Sequence, residues 1–297
     1  MLRRNKKVGA DLATMLTSRP IQPRNPCSYG IIDAAIRIAV PPAAADLDEF
    51  MQTLGRLGYA GATLFSETED QRTQNTMFDA LVPLLNELMT FVPMLDVARG
   101  GLMQQQDDWN RRGLRAFSLS TIGSFRSPLR RVEPETIESF TAWEHACERQ
   151  FLLFAEPTLS DAALLVNLCA HFPDVPVVVR GNLITGHARA LSTFIRQMPS
   201  PDRFTFDRLH QLPAVSLLLS PSEARRVSTY PPGPPVGWHS FGNLLALFGS
   251  GRICWGSELD LADFLTRTPS YSPDLFDYLD ADQIEAVLGR NIRLLFA

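Results

Sequence analysis

Arg252-Ile253-Cys254-Trp255-Gly256-Ser257-Glu258 is the stretch on which the fold is decided. Its first four residues make a short, β-rich apolar run. Gly256-Ser257-Glu258 then ends that run in a corner bearing a hydroxyl and a carboxylate. Parallel α/β folds collect their chemistry at the C-terminal edge of the strands, so Ser257 and Glu258 stand where a site would be. Further on, Ala281 to Phe296 carries an Asp start signal, a helical apolar stripe, then Gly289-Arg290-Asn291 and a second short helix. A strand with an acidic tip followed by a terminal helix pair reads as the closing unit of a barrel.

Working outward, the same rhythm recurs. Gly30 to Ile38 is β-branched and bounded by Gly30 and Pro41-Pro42, which predicts a first strand. Asp46 to Leu57 carries Leu47, Phe50, Met51, Leu54 and Leu57 at helical spacing. Further strands are predicted over 60–65, 90–95, 114–119, 151–155, 175–179 and 214–219. Helices are predicted over 73–88, 102–112, 133–149, 160–172, 187–198 and 238–248. Strands alternating with helices imply a parallel sheet, and a full round of such units implies a (β/α)8 TIM barrel over residues 30–297. Residues 1–29 mix Arg, Lys, Pro and Asn and read as an N-terminal extension that packs across the barrel bottom or covers a partner subunit; in the latter case a homodimer is expected.

The composition narrows the function. A chain of 297 residues, 45% hydrophobic and 20% charged, is ample for one core. A net charge of -4 and a pI near 5.8 give no basic face for nucleic acid. Cys27, Cys147, Cys169 and Cys254 show no metal spacing and sit in apolar surroundings, as buried free thiols in a reducing compartment do. No apolar run approaches a membrane span, and the basic Met1 to Lys7 leads into no signal-peptide core. A cytoplasmic protein without membrane partners is expected.

In this order and spacing the motifs resemble the amidohydrolase-related TIM-barrel hydrolases, a group that includes pyrone dicarboxylate lactonases and carboxymuconate-type decarboxylases. The resemblance runs from Gly30 to Phe296. It is carried by Arg252 to Glu258, where the family reads Arg-hydrophobic-hydrophobic-Trp/Phe-Gly-Ser-Asp. Asn291-Ile292-Arg293-Leu294-Leu295-Phe296 matches the family ending, and Phe172-Pro173-Asp174-Val175 to Val179 matches the approach to a family histidine. The departures fall on the chemistry. The family's first strand carries His-x-His as metal ligands, and the matching positions here are Ala35 and Arg37. The fifth strand lacks its histidine at Phe154-Ala155-Glu156, the sixth reads Arg180-Gly181 in place of Asp-His, and the last Asp is Glu258. Zinc needs about three lone-pair ligands, so the resemblance implies a barrel that has lost its divalent metal and holds no cofactor.

Arg37 therefore sits where relatives keep a cation. It would serve a substrate carboxylate or oxyanion, or else pair with Glu258 or Glu156 across the mouth. Arg180 and Glu156 form a second candidate pair, and Arg180's fork suits a carboxylate-bearing ligand. Glu258 is the candidate general base, although a nearby arginine would lower its pKa. His187 and His239 each open a segment after a strand-end loop and are candidates for proton transfer. His145, His171 and His210 read as ordinary helix or core residues. Ser257 lies at the strand tip as a candidate substrate contact, with no nucleophile elbow around it. Two functions follow. One is a metal-independent hydrolase of a small carboxylated substrate such as a lactone; the other is a catalytically degenerate barrel that binds a ligand or acts as a scaffold.

Overall fold

Strand β1 (Ile31–Ile38) shows how local sequence becomes barrel wall. Its β-branched residues suit a pleated surface, and a register shift between Asp33 and Ile36 turns both Ala34 and Ala35 toward the interior layer. Ile31, Ile36 and Ile38 face the outer layer, under the helices. The computed structural model describes residues 30–119, 134–155, 162–180, 209–219, 245, 248–266 and 279–297.

All strand ladders are parallel. One sheet runs β10 (Leu259–Asp260), β1, β2 (Tyr59–Ser66), β3 (Met89–Val92). The other runs β4 (Met94–Leu95), β5 (Ala116–Leu119), β6 (Leu152–Ala155), β7 (Val177–Val179), β8 (Val215–Leu219), β9 (Ile253–Trp255). Two breaks separate the sheets. Pro93, which has no N–H to offer a ladder, parts β3 from β4, and Gly256–Glu258 part β9 from β10. Read as continuous runs, β3–β4 and β9–β10 each belong to both sheets. Every run then neighbours the next, and the last returns to the first through Ile36↔Leu259 and Arg37↔Asp260. This is the strand order of a (β/α)8 barrel.

Each break is mended by a side chain. The Gln74 amide donates to the Met94 carbonyl at 2.8 Å and accepts from the Met94 N–H at 3.0 Å, standing in for a ladder partner after Pro93. Replacing Gln74 with leucine strands both groups, and a loss of about 2 kcal/mol in urea unfolding is expected. At the second break the Ser257 N–H donates to Asp33 Oδ1 at 2.8 Å, and the Glu258 N–H to the Ala35 carbonyl at 2.9 Å. Gly256 makes this seam feasible: a Cβ there would lie 2.8 Å from both the Cβ and the N of Ala35.

Inside, aromatic rings form a column. Phe65 meets Phe154 edge-on at 4.8 Å between centroids, and Phe154 stacks on Phe296 at 6.1 Å. Phe296 belongs to the terminal helix (Asn291–Phe296), which closes the floor with Ile292 and is tied down by Asn291 Nδ2 donating to the carbonyls of Ser250 and Ile253. The Arg252 guanidinium reaches the carbonyls of Phe248, Leu212 and His210, which gives the first residue of the opening motif a structural task.

Several expected boundaries shift. The strand predicted over 90–95 is broken by Pro93. The helix predicted over 73–88 runs Gln71–Leu81, with Asp70 as its cap, and a 3-10 turn at Val82–Leu84 ends it. Gly289-Arg290-Asn291 does not separate two helices. A π turn, Ala286–Arg290, joins Ala281–Glu285 to Asn291–Phe296, and Gly289 is needed because a Cβ would lie 2.4 Å from the Gly30 carbonyl oxygen. The predicted helices over 187–198 and nearly all of 238–248, like the extension over 1–29, lie outside the described residues. Cys169 and Cys254 are buried free thiols, as expected, and burial pushes both up to about 12; Cys147 is free but only half-buried, and Cys27 lies outside the described residues. Among the described residues no helix is long and apolar enough to cross a membrane.

Candidate active site at the barrel mouth

The C-terminal strand tips bring together β1, β2, β7 and the β9–β10 corner. Arg180 follows β7 directly, and its side chain is almost fully buried. Its Nε donates to Glu258 Oε1 at 3.3 Å and its Nη2 to Oε2 at 3.2 Å, so one edge of the guanidinium faces both carboxylate oxygens. One face of the guanidinium lies 3.7 Å above the Phe65 ring, a cation–π contact that fixes its plane. Arg180 thus caps the aromatic column. Glu258, whose side chain is 20% exposed, is the more accessible partner. Its backbone is left-handed at φ 53, one of two non-glycine residues with positive φ among those described; side chains with a Cβ seldom settle there.

Arg37 registers with Phe65 across the β1–β2 ladder and so shares its interior face. Its partners are not those expected from the sequence. Nη1 contacts Glu67 Oε1 at 2.9 Å, and Nη2 lies 3.3 Å from Asp260 Oδ1 without hydrogen-bond alignment. The expected Arg37–Glu258 pairing is thereby corrected: among the described residues Glu258 pairs with Arg180, and Arg37 with Glu67 and Asp260, while the pairings expected with Glu156 fall outside them. The cause is geometric. β10 continues past the corner in register with β1 and delivers Asp260 beside Arg37, while Glu258 turns aside toward β7. The Arg37 side chain is 37% exposed, so water screens its ion pairs and they contribute about 1 kcal/mol at most.

Ser257 is a structural residue. Its Oγ donates to the Ala35 carbonyl and accepts from the Leu259 N–H, both at 3.3 Å, and the side chain is buried. Its hydroxyl is thus engaged in the seam. His145, as expected, is a packed residue: it is buried and bonded to Asp107 at 3.0 Å between two outer helices. Glu156, His187 and His239 lie outside the described residues.

Asp33 is the residue that sequence reading missed. It is completely buried; Oδ1 accepts from the N–H groups of Ser257 and Ala35, and Oδ2 has no hydrogen-bond partner among the described residues. Burial pushes its carboxyl up to about 7, opposed by the Ser257 and Ala35 hydrogen bonds and reinforced by the negative charge of Glu258. A lone acid inside the otherwise apolar run of β1, apart from Arg37 at its tip, was the available signal.

Ala35 is buried against Gly256, Arg37 and Arg180 are cations, and among the described residues no three His, Cys, Asp or Glu side chains converge. Arg180 presents a planar two-donor edge, and Glu258 lies along it with both carboxylate oxygens.

Comparison with solved structures settles the architecture. An amidohydrolase from Burkholderia multivorans with bound HEPES superposes with a TM-score of 0.56 at 12% identity, over 90% of this chain and 98% of that one. This chain shares its fold with that amidohydrolase. A probable 2-pyrone-4,6-dicarboxylic acid hydrolase from Acinetobacter baumannii, with citric acid bound, shares the amidohydrolase fold at TM-score 0.60 and 10% identity, again over 90% and 98% of the two chains. A dihydroxybenzoic acid decarboxylase from Polaromonas sp. JS666, with manganese and the inhibitor 2-nitroresorcinol, gives 0.56 and 10% over 90% and 97%. No family model and no curated protein sequence matches the chain. The amidohydrolase fold is thus held at very low identity, with Arg180 at the tip of β7 and Glu258 at the corner between β9 and β10.

Proposed function

We propose that this chain is a hydrolase of the amidohydrolase group that acts on a small carboxylated substrate, a lactone or related ring, without a divalent metal. The observation that carries the reading is the buried Arg180–Glu258 pair at the strand tips, the end of the barrel where this architecture does its chemistry. Arg180 takes the substrate carboxylate and Arg37 adds positive charge on the same face. Glu258, a carboxylate beside the bound substrate, accepts a proton from water as the hydroxide oxygen joins the lactone carbonyl carbon. The ring C–O bond then breaks, and the departing alkoxide takes the proton back. Among the proteins of like fold, one is a probable pyrone-dicarboxylate hydrolase with a bound polycarboxylate, which agrees with such a substrate.

A second reading, a barrel that binds a carboxylate without turnover, draws on a specific observation. Phe65, Phe154 and Phe296 fill the interior, and the arginines of the described mouth each face a carboxylate. Chelator-treated protein assayed against lactones, esters and amides that carry a carboxylate separates the two. Turnover is expected, and Arg180→Met is expected to lower kcat/KM at least about thirtyfold, the loss usual when one partner of a buried charge pair is removed. Carboxylate binding with no turnover of any compound assigns the second reading. Turnover that Arg180→Met leaves unchanged removes the first.

A further inference from the structure

Ligand entry at this mouth rests on the reading of Arg180 as a carboxylate anchor. We propose that Glu258 is the resident occupant of that anchor, a built-in carboxylate that an incoming planar carboxylate must displace. Three features of the pair point this way. First, the guanidinium is immobilised: its side chain is almost fully buried and Phe65 holds one face at 3.7 Å, so Arg180 cannot follow a departing partner. Second, the two contacts, at 3.3 and 3.2 Å, are longer than the 2.7–2.9 Å or so typical of charge-assisted N–H···O bonds, so the edge is occupied without being optimally filled. Third, Glu258 is held there from a left-handed backbone at φ 53, on the more exposed side of the pair. Non-glycine residues in that region persist only where their surroundings over-determine them. Here the Glu258 N–H is tied to the Ala35 carbonyl and the preceding N–H to Asp33, so the seam imposes the backbone and the side chain is free to leave.

The chemistry of the ligand follows from the shape of the vacated edge. Nε and Nη2 donate in one plane to two oxygens of one carboxylate, so the displacing group is a second planar carboxylate. When it binds, Glu258 is released beside it as an unpaired carboxylate. An internal occupant also taxes affinity, because only the fraction of molecules with an open Arg180 edge can bind.

Isothermal titration calorimetry of the full chain at pH 7 tests this, with sodium benzoate as probe and inorganic phosphate as comparison. Glu258→Gly and Glu258→Gln each empty the edge of its competing charge, and glycine accepts φ 53 without strain. Benzoate is expected to bind both variants at least about tenfold more tightly than wild type, the tax having been removed. Adding Arg180→Met to either is expected to abolish the gain. Equal or weaker benzoate binding by both Glu258 variants overturns the displacement proposal while leaving the anchor intact. An equal gain for phosphate overturns the assignment to planar carboxylates. Benzoate binding by none of the proteins, including Glu258→Gly, sinks the anchor and the displacement together. Glu258→Gly is also expected to melt above Glu258→Gln; should one of them fail to fold, the other carries the titration.

Discussion

Replacing Asp33 with asparagine is expected to flatten the dependence of stability on pH between about pH 4 and pH 7. The wild-type carboxyl is raised from 3.8 to about 7, chiefly by complete burial. Between those values the folded chain keeps a proton that the unfolded chain has released. Stability from this group is therefore fully present below about pH 4 and is lost as pH rises through about 7. A shift of this size corresponds to about 4 kcal/mol across the window. Asparagine retains an oxygen to accept from Ser257 and Ala35 and cannot titrate. Urea unfolding at intervals from pH 4.5 to 8 reads the slope directly, and a variant slope equal to that of wild type would refute the assignment. Asp70 and Asp282 act with the opposite sign and lower on the scale. Their hydrogen bonds with Thr73 and Arg290 hold both below the usual carboxylate range, so what they contribute is lost only as the solution becomes strongly acidic.

The second large effect comes from one glycine and is sharpened by another. A Cβ on Gly61, within β2, would lie 1.9 Å from the Leu88 carbonyl oxygen and 2.7 Å from its carbon. Both are backbone atoms at the entry to β3, and they cannot rotate aside. Gly61→Ala must therefore push the β2–β3 ladder apart, at a cost of about 3 kcal/mol or more. Gly55, in the helix Ala44–Leu57, has nothing within 4 Å of the same added atom. Gly55→Ala is expected to stabilise by about 0.5–1 kcal/mol through helix propensity alone. Chemical denaturation of the two variants beside wild type should move the midpoints in opposite directions. A Gly61→Ala midpoint within error of wild type would mean that the close approach is absent in solution.

The fold was legible in the sequence because its signals are local and repeated. Apolar β-branched runs alternate with helical stripes, and the closing motif from Arg252 to Glu258 ends where a barrel strand ends. The site was legible only in part. Arg180 and Glu258 were both recognised, yet Glu258 was expected beside Arg37 and lies against Arg180, because pairing depends on which way a chain turns after a break. Gly256-Ser257-Glu258 carries Glu258 toward β7 and lets Leu259-Asp260 resume beside β1, and neither turn is written in residue spacing. Asp33 escaped for a related reason. Simple alternation along β1 assigns faces by parity, and the register shift after Asp33 sets parity aside, so Ala34 and Ala35 both point inward. Ser257 looked chemical because it is a hydroxyl at a strand tip, but its hydrogen bonds are consumed by the seam.

That seam bears on how the polypeptide is made. The bond from Ser257 to Asp33 spans 224 residues, and among the described residues the other neighbour of β1 in its sheet is β2. During synthesis one flank of β1 must wait, with its ladder groups unsatisfied, until the segment 224 residues downstream has left the ribosome. An unpaired strand edge of this kind is a template for mispairing. The segment from Ser257 to Asp260 thus acts as a latch on β1, and truncation ahead of it would release an adhesive edge rather than a slightly shorter barrel.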